Sequence, residues 1–329
     1  MENRESAADP QPSVTVIMPI LNEERHLRAA VDMILRQDYA GALDVVLALG
    51  PSTDRTDQVA AELVAAHPQV RVVRNPSGRT PDALNTAISA SQGEVVVRVD
   101  GHAEIPGDYV RVAVEELTAV GADNVGGVMD AQGITPFQRA VACAMRSPIG
   151  VGNSRFHIGG DAGESDTVYL GVFRRSALAR VGGYDPHFAR AQDWELNHRI
   201  RESGGRVWFT PRLRVTYRPR GDALSLGKQY FYYGRWRRVV ARYHEGTINL
   251  RYLAPPAMVL GVTAATVAAP VWPIAMSVPA AYGVGVVVGG LAMSRAESIG
   301  VRLRAPLALA VMHWAWGIGF LTSPRSIGR

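Results

Sequence analysis

The chain has a single cysteine in 329 residues. A lone Cys143 excludes an internal disulfide framework and a Cys-rich metal site, and its place in the apolar run 140–145 makes it buried filler. Lysine is as scarce: Lys228 is the only one. There is no internal repeat and no long low-complexity tract. Residues 1–13 are polar, hold two prolines and lack a hydrophobic signal core, so a disordered leader is expected there.

Charge is missing too, from Leu253 to Met293. These forty-one residues are too many for one membrane span and suit two, since one helix needs about 20. Pro270, Trp272 and Pro273 mark the turn, which divides the stretch into spans at about 254–272 and 274–293. A polar stretch with Arg295, Arg302 and Arg304 follows, then a third apolar segment at 305–322, interrupted by His313. That segment either spans or lies in the interface. The arginines on both sides of the uncharged stretch place the rest of the chain in the cytoplasm, so a multi-pass protein of the inner or plasma membrane is expected.

The net charge of +5 is unevenly spread, with twelve basic residues against three acidic ones between Arg201 and Arg251. The block also holds Tyr230, Phe231, Tyr232, Tyr233 and Trp236. Basic and aromatic residues together fit nucleic acid. Because this block abuts apolar spans, a helix at 223–252 lying in the lipid headgroup layer is the better reading, and no nucleic-acid partner is expected.

Upstream, strand and helix alternate. Val14–Met18, Leu43–Ala48, Val70–Arg74 and Glu94–Val99 read as short buried strands. Glu23–Arg36 is helical, with Leu27, Ala30, Val31, Ile34 and Leu35 on one face. Ser52 or Thr53 caps the next helix, with Asp54 at its positive dipole end. Thr80–Ser91 makes a third helix. Strands separated by helices of this length form an α/β sheet that is mostly parallel. Right-handed crossovers then bring the loops 19–24, 49–54 and 100–104 to one end of it. Ligands of such sheets bind outside the carboxyl ends of the strands. There the chain carries Asp100-Gly101-His102, two possible metal ligands one residue apart. Without further support, a strand followed by a polar turn is the better reading.

Five further motifs, in order, change that balance. The run 16–24 (VIMPILNEE) resembles the opening strand of family 2 inverting glycosyltransferases, and Ser52-Thr53-Asp54-Arg55-Thr56 resembles their second loop. Ala83-Leu84-Asn85, then Gly93-Glu94 and the Asp100 strand, match the third and fourth elements. Val181-Gly182-Gly183-Tyr184-Asp185 and Gln192-Asp193-Trp194-Glu195-Leu196 resemble the acceptor-side motif that ends in the catalytic acid residue. The resemblance covers roughly 13–217 and is nearest to the succinoglycan-type, membrane-associated glucosyltransferases.

That resemblance implies a GT-A fold: a mixed, mostly parallel sheet flanked by helices at 14–222, followed by membrane helices at 253–329. It implies a nucleotide-sugar donor, UDP-sugar first and GDP- or dTDP-sugar open, and a lipid-linked or polysaccharide acceptor. Asp100 and His102 would hold Mn²⁺ or Mg²⁺. His102 stands where the family more often has Asp, which tilts the preference toward Mn²⁺. Pro19, Asn22, Glu23 and Asp54 would face the nucleotide, with Arg79 and Asn85 near the diphosphate or sugar. Asp193 would be the general base, although it also suits the N-cap of an amphipathic helix. Gln192 replaces a second acid, which removes a like charge beside Asp193. Leu49 and Gly50 replace an acidic pair that contacts uracil. Gln229, Arg235 and Trp236 match the family's Gln-x-x-Arg-Trp motif at wider spacing, or belong simply to a membrane-surface helix. The segment 150–163 is a mobile acceptor loop or a plain surface loop. The scarcity of lysine, with abundant Ala, Val and Gly, fits a GC-rich bacterial genome and cell-envelope polysaccharide synthesis. Two other readings share the fold: a polyprenyl-phosphate glycosyltransferase, which needs no general base, and a non-catalytic membrane scaffold.

Overall fold

A computed structural model of the protein describes residues 11–327, so most of the leader expected at 1–13 lies outside the described residues. The elements run β1 (Val14–Ile20), α1 (Leu27–Leu35), β2 (Leu43–Leu49), α2 (Thr56–Ala66), β3 (Val70–Arg74), α3 (Thr80–Ala90), β4 (Val95–Arg98) and α4 (Tyr109–Ala119). There follow β5 (Asn124–Ala131), α5 (Pro136–Met145), α6 (Pro148–Val151), α7 (Arg155–Ile158), β6 (Gly163–Glu164), β7 (Tyr169–Arg174), α8 (Arg175–Val181), α9 (Gln192–Glu202) and β8 (Val207–Tyr217). The remaining helices are α10 (Ala223–Tyr243), α11 (Leu250–Ala268), α12 (Ser277–Met293), α13 (Ile299–Arg302) and α14 (Ala305–Leu321).

The strands form one sheet in the order β3-β2-β1-β4-β7-β5-β8-β6. The first four are parallel, with Val14 level with Leu43 on one side and Val95 on the other. β7 enters antiparallel to both β4 and β5, so the sheet is mixed and its parallel half is the one the early strands build. Buried on both faces, β1, β2 and β4 are apolar almost throughout rather than alternating, with Thr15, Asp44 and Arg98 as the polar exceptions.

Contacts divide the chain into two compact units. The first takes the chain up to Gly127, Ala162–Pro186 and Leu196–Val215. Its core joins Val16, Met18, Val45, Leu47 and Val97 to Leu27, Val31 and Ile34 of α1, Leu63 of α2, and Val110 and Leu117 of α4. Each such side chain stabilises the fold by about 1.5–3 kcal/mol relative to exposure. The helix expected from Glu23 begins at Leu27, after a turn in which the His26 and Leu27 amides donate to the Glu23 carbonyl, while the Glu23 and Glu24 amides donate to Thr56 Oγ1 and the Asp54 carboxylate.

The second unit comprises Val128–Asp161, His187–Glu195 and Thr216–Arg329. Asp222 caps α10 by accepting from the Ser225 amide at 2.8 Å. Instead of continuing to 252, α10 ends at Tyr243, and a turn leads into α11. Leu226, Tyr230, Trp236, Val239 and Val240 are buried, so α10 is packed as well as basic. Its neighbour is α14, and glycine sets how close they come: a Cβ at Gly234 would collide with the Trp316 carbonyl, and one at Gly319 with the Phe231 carbonyl. Two helical stretches, Leu250–Ala268 and Pro273–Met293, are long and apolar enough to cross a membrane. Leu260, Val267, Val284 and Val288 on them are exposed. Residues 150–163 carry α6, α7 and the first residue of β6 rather than an unbroken loop. Cys143 is buried in α5, as its apolar run predicts, and burial pushes its thiol pKa up.

Candidate active site

Within the first unit, the loops after β1, β2 and β4 meet at the carboxyl end of the parallel strands. Asn22 adopts the left-handed conformation (φ 57°), one of the few that Asn tolerates well. Its backbone amide donates to Ser52 Oγ at 3.0 Å, and its side-chain Oδ1 accepts from the Thr53 amide at 2.7 Å. Ser52 and Thr53 are therefore tied to the first loop. Asp54 supplies the side-chain oxygen at the start of α2 instead, accepting from the Thr56 amide at 3.0 Å and the Thr56 hydroxyl at 2.5 Å. That hydroxyl bond is the main reason the Asp54 carboxyl titrates below the usual range. Glu24 accepts from the Arg55 amide at 3.0 Å and from its guanidinium at 2.7 Å, which also lowers its pKa. Asn22, Glu24, Arg25, His26 and Asp54 line an open polar hollow of about 380 Å³. Pro19 lies on β1 opposite Ala48.

The β4 loop joins this group. Arg98 is buried and its Nε donates to Asp100 Oδ1 at 2.9 Å, giving the carboxylate a fixed counter-charge. His102 Nδ1 lies 2.8 Å from Glu23 Oε1. A Cβ at Gly101 would come within 2.9 Å of Glu23 Cγ and of Ile20 Cδ1, so glycine is the residue that lets the two loops close. One carboxylate and one imidazole suit a divalent cation that completes its sphere with phosphate oxygens. Among the described residues no group of three or more His, Cys, Asp or Glu forms a cage by itself.

Two residues expected near the diphosphate are engaged elsewhere. Asn85 grips the backbone of Tyr184 twice, donating to its carbonyl at 2.6 Å and accepting from its amide at 2.8 Å. Arg199 donates to the Val181 and Gly183 carbonyls at 2.6 and 2.8 Å, so the Gly182-Gly183-Tyr184 turn is held from two sides. Arg79 donates to the Pro186 carbonyl.

The second unit holds Asp193. It is the second residue of α9, after Ala191 in a left-handed conformation (φ 60°), so the N-cap position is not its own. Such a backbone costs an alanine about 1–2 kcal/mol, a strain typical of functional positions. Gln192 opens the helix beside it. The two residues that follow are anchored in α10 and the turn after it. Trp194 lies under the Arg237 guanidinium at 4.2 Å, and the buried Glu195 carboxylate is 3.3 Å from His244 Nε2. Gln229, Arg235 and Trp236 all lie on α10. Gln229 bonds Tyr217 and Tyr233, Arg235 covers the Phe231 ring at 4.3 Å, and Trp236 packs on Phe188 with ring centroids 6.4 Å apart. The sequence reading missed Glu24, Arg55, Arg98 and Gly101. Their signal was proximity to Asn22, Asp54 and Asp100; Glu24, Arg55 and Gly101 meet partners on another loop, and Arg98 pairs with Asp100 two positions on.

The Glycosyl transferase family 2 model matches residues 15–182. The succinoglycan biosynthesis protein ExoA of Rhizobium meliloti is 32% identical over 314 residues, which is 94% of each chain. A dolichyl N-acetyl-alpha-D-glucosaminyl phosphate 3-beta-D-2,3-diacetamido-2,3-dideoxy-beta-D-glucuronosyltransferase of Methanococcus voltae is 22% identical, over 74% of this chain and 77% of that one. Among solved structures, the mannosyltransferase PcManGT of Pyrobaculum calidifontis, in complex with GDP-Man and Mn²⁺, superposes with a TM-score of 0.62 at 21% identity. That superposition covers 94% of this chain and 91% of the other, which establishes a shared GT-A fold. With both the family model and a relative of matching length in agreement, the chain belongs to glycosyltransferase family 2.

Proposed function

We propose that the protein is an inverting, divalent-metal-dependent glycosyltransferase. It moves a sugar from a nucleoside-diphosphate donor to a hydroxyl of a lipid-linked or polysaccharide acceptor at the cytoplasmic face of the inner membrane. The observation that carries this reading is the lacing of three loops at one sheet end: Asn22 to Ser52 and Thr53, and Glu23 to His102. Loops held in this way form a site before the donor arrives, so little ordering cost falls on binding.

Asn22 and Asp54 line the hollow that would take the nucleotide, and Pro19 and Glu23 would face it from the end of β1 and the loop after it. Asp100 and His102 would hold the metal, and a bound divalent ion supplies positive charge where the departing diphosphate gains negative charge. Asp193 accepts the proton of the acceptor hydroxyl as that oxygen attacks the anomeric carbon. Gln192, Gln229, Arg235 and Trp236 form the acceptor side, and Arg79 and Asn85 shape the site through the 182–186 backbone. The succinoglycan role of the Rhizobium relative and the dolichyl phosphate in the archaeal relative's name support a lipid-linked polysaccharide acceptor. UDP-sugar is the expected donor. Leu49 and Gly50 leave the base unread by acidic side chains, and the fold relative holds GDP-Man, so GDP-sugars belong in the same donor panel. The apolar stretches at 250–268 and 273–293 support attachment to a membrane as a multi-pass protein.

The test is nucleoside diphosphate release by detergent-solubilised protein with Mn²⁺, membrane lipid extract and a panel of donors. Release from one donor, lost in Asp100→Ala and Asp193→Asn, establishes the reading and names the sugar. Loss in Asp100→Ala alone points to a lipid-phosphate acceptor or donor hydrolysis. No release and no donor binding leave a scaffold of the same fold.

A further inference from the structure

Within the second unit, Gln229 has its whole carboxamide engaged. Nε2 donates to the Tyr217 hydroxyl at 2.8 Å and to the Tyr233 hydroxyl at 2.7 Å, while Oε1 accepts from Arg220 Nε at 3.3 Å. Both amide hydrogens go to phenol oxygens, so each phenol is an acceptor toward Gln229 and keeps its own hydrogen to donate elsewhere. Gln229 is 8% exposed and Tyr233 as a residue 39%, so a buried amide fixes two phenols on a partly exposed part of the unit.

Positive charge stands beside them. Arg220 is exposed, and the Arg190 guanidinium lies over the Tyr232 ring at 5.2 Å. Burial pushes the Tyr233 phenol pKa up to about 12, and both guanidinium charges pull against that shift. Among the described residues, no carboxylate forms an ion pair with Arg190 or Arg220. The acidic group nearest in sequence, Asp222, is committed to capping α10, accepting from the Ser225 amide and hydroxyl at 2.8 Å each. Two phenol hydrogens and two guanidinium groups, with no acceptor among them, make a donor-only cradle. Such a set calls for an anion with several oxygens, and arginine forks favour phosphate geometry.

We propose that Arg190, Arg220, Tyr217 and Tyr233, ordered by Gln229, bind the phosphate or diphosphate group of a lipid-linked acceptor. This rests on the acceptor-side reading above. A lipid carrier is favoured over a soluble phosphate because α11 and α12, the helices able to enter a bilayer, belong to the same unit. A bound phosphate group would anchor the carrier and leave the sugar end of the acceptor to the base.

The test is calorimetry on the detergent-solubilised full chain with EDTA present, so that no metal-dependent donor site competes. The probes are a short-chain prenyl diphosphate and inorganic pyrophosphate, against wild type, Arg190→Gln, Arg220→Gln and Tyr233→Phe. Metal-dependent nucleotide binding, measured separately, reports whether each variant is folded. The expected result is prenyl diphosphate binding weakened about tenfold or more by each arginine change and about threefold by Tyr233→Phe, with nucleotide affinity retained. Prenyl diphosphate binding that is unchanged in both arginine variants overturns the proposal. Equal affinity for inorganic pyrophosphate overturns the lipid assignment. Donor turnover that fails while prenyl diphosphate still binds defeats the transferase reading and leaves the cradle standing.

Discussion

His102 and Glu23 are joined at 2.8 Å across the loops that follow β4 and β1. The pair connects the candidate metal position to the candidate nucleotide loop, and Gly101 beneath it leaves no room for a side chain. Gly101→Ala should displace Glu23 and Ile20 and weaken Mn²⁺-dependent nucleotide binding by about tenfold. Glu23→Gln, which keeps a hydrogen-bonding group, should cost less, and Glu23→Ala more. Titration of nucleotide into each variant, with and without Mn²⁺, ranks them. An unaffected Gly101→Ala would show that the pair does not order the site.

Asp193→Asn preserves the shape of the α9 start and removes only the basic oxygen. It should lower kcat by about 10²–10⁴-fold and leave the donor KM nearly unchanged, since base catalysis is worth that much. A donor KM that rises in step with the loss of kcat would instead place Asp193 in substrate binding.

Arg237 lies 4.2 Å from the Trp194 ring and 4.0 Å from the Tyr252 ring. Lysine at 237 keeps the charge but loses the flat guanidinium that stacks between two rings. Arg237→Lys is expected to lower stability by about 1–2 kcal/mol, visible as a reduced Tm. It should also reduce kcat, because Trp194 adjoins Asp193.

The Asp54 carboxyl has its pKa depressed from the ordinary 3.8 by the Thr56 hydroxyl. A group lowered in the folded state adds stability above its unfolded value, and that stability is lost as pH falls through the folded value. The lacing of the first two loops should therefore be intact at pH 5 and disappear only below about pH 4. Thr56→Val removes the bond and should move acid unfolding to higher pH. An unchanged acid limb in circular dichroism would count against the bond.

Gly234→Val and Gly319→Val each force a side chain into a backbone contact between α10 and α14. Overpacking of this kind costs about 1–3 kcal/mol, and more where backbone must move. Poor recovery of folded protein in detergent should follow, with Gly227→Ala, which faces Val311 at 3.5 Å, as the tolerated control.

Much of the candidate site was legible in the sequence because β1, β2 and β4 are buried on both faces and read as nearly continuous apolar runs. Their ends could then be located, and with them Asn22, Asp54 and Asp100. What stayed hidden depends on pairs far apart in sequence. Asn85 and Tyr184 are 99 positions apart, and nothing local distinguishes an asparagine that clamps a turn from one that faces a sugar. Arg98 was hidden for a different reason: it is only two positions from Asp100, but its burial, with its charge against that carboxylate, comes from the sheet around it.

The close crossing of α10 and α14 also decides how the basic helix is displayed. With Gly234 under the Trp316 carbonyl and Gly319 under the Phe231 carbonyl, the two backbones meet with no side chain between them. The final apolar helix is thus a wall for the basic one: it fixes which side of α10 is hidden, with Trp236 and Arg237 buried, and which side, with Arg238, is left outward.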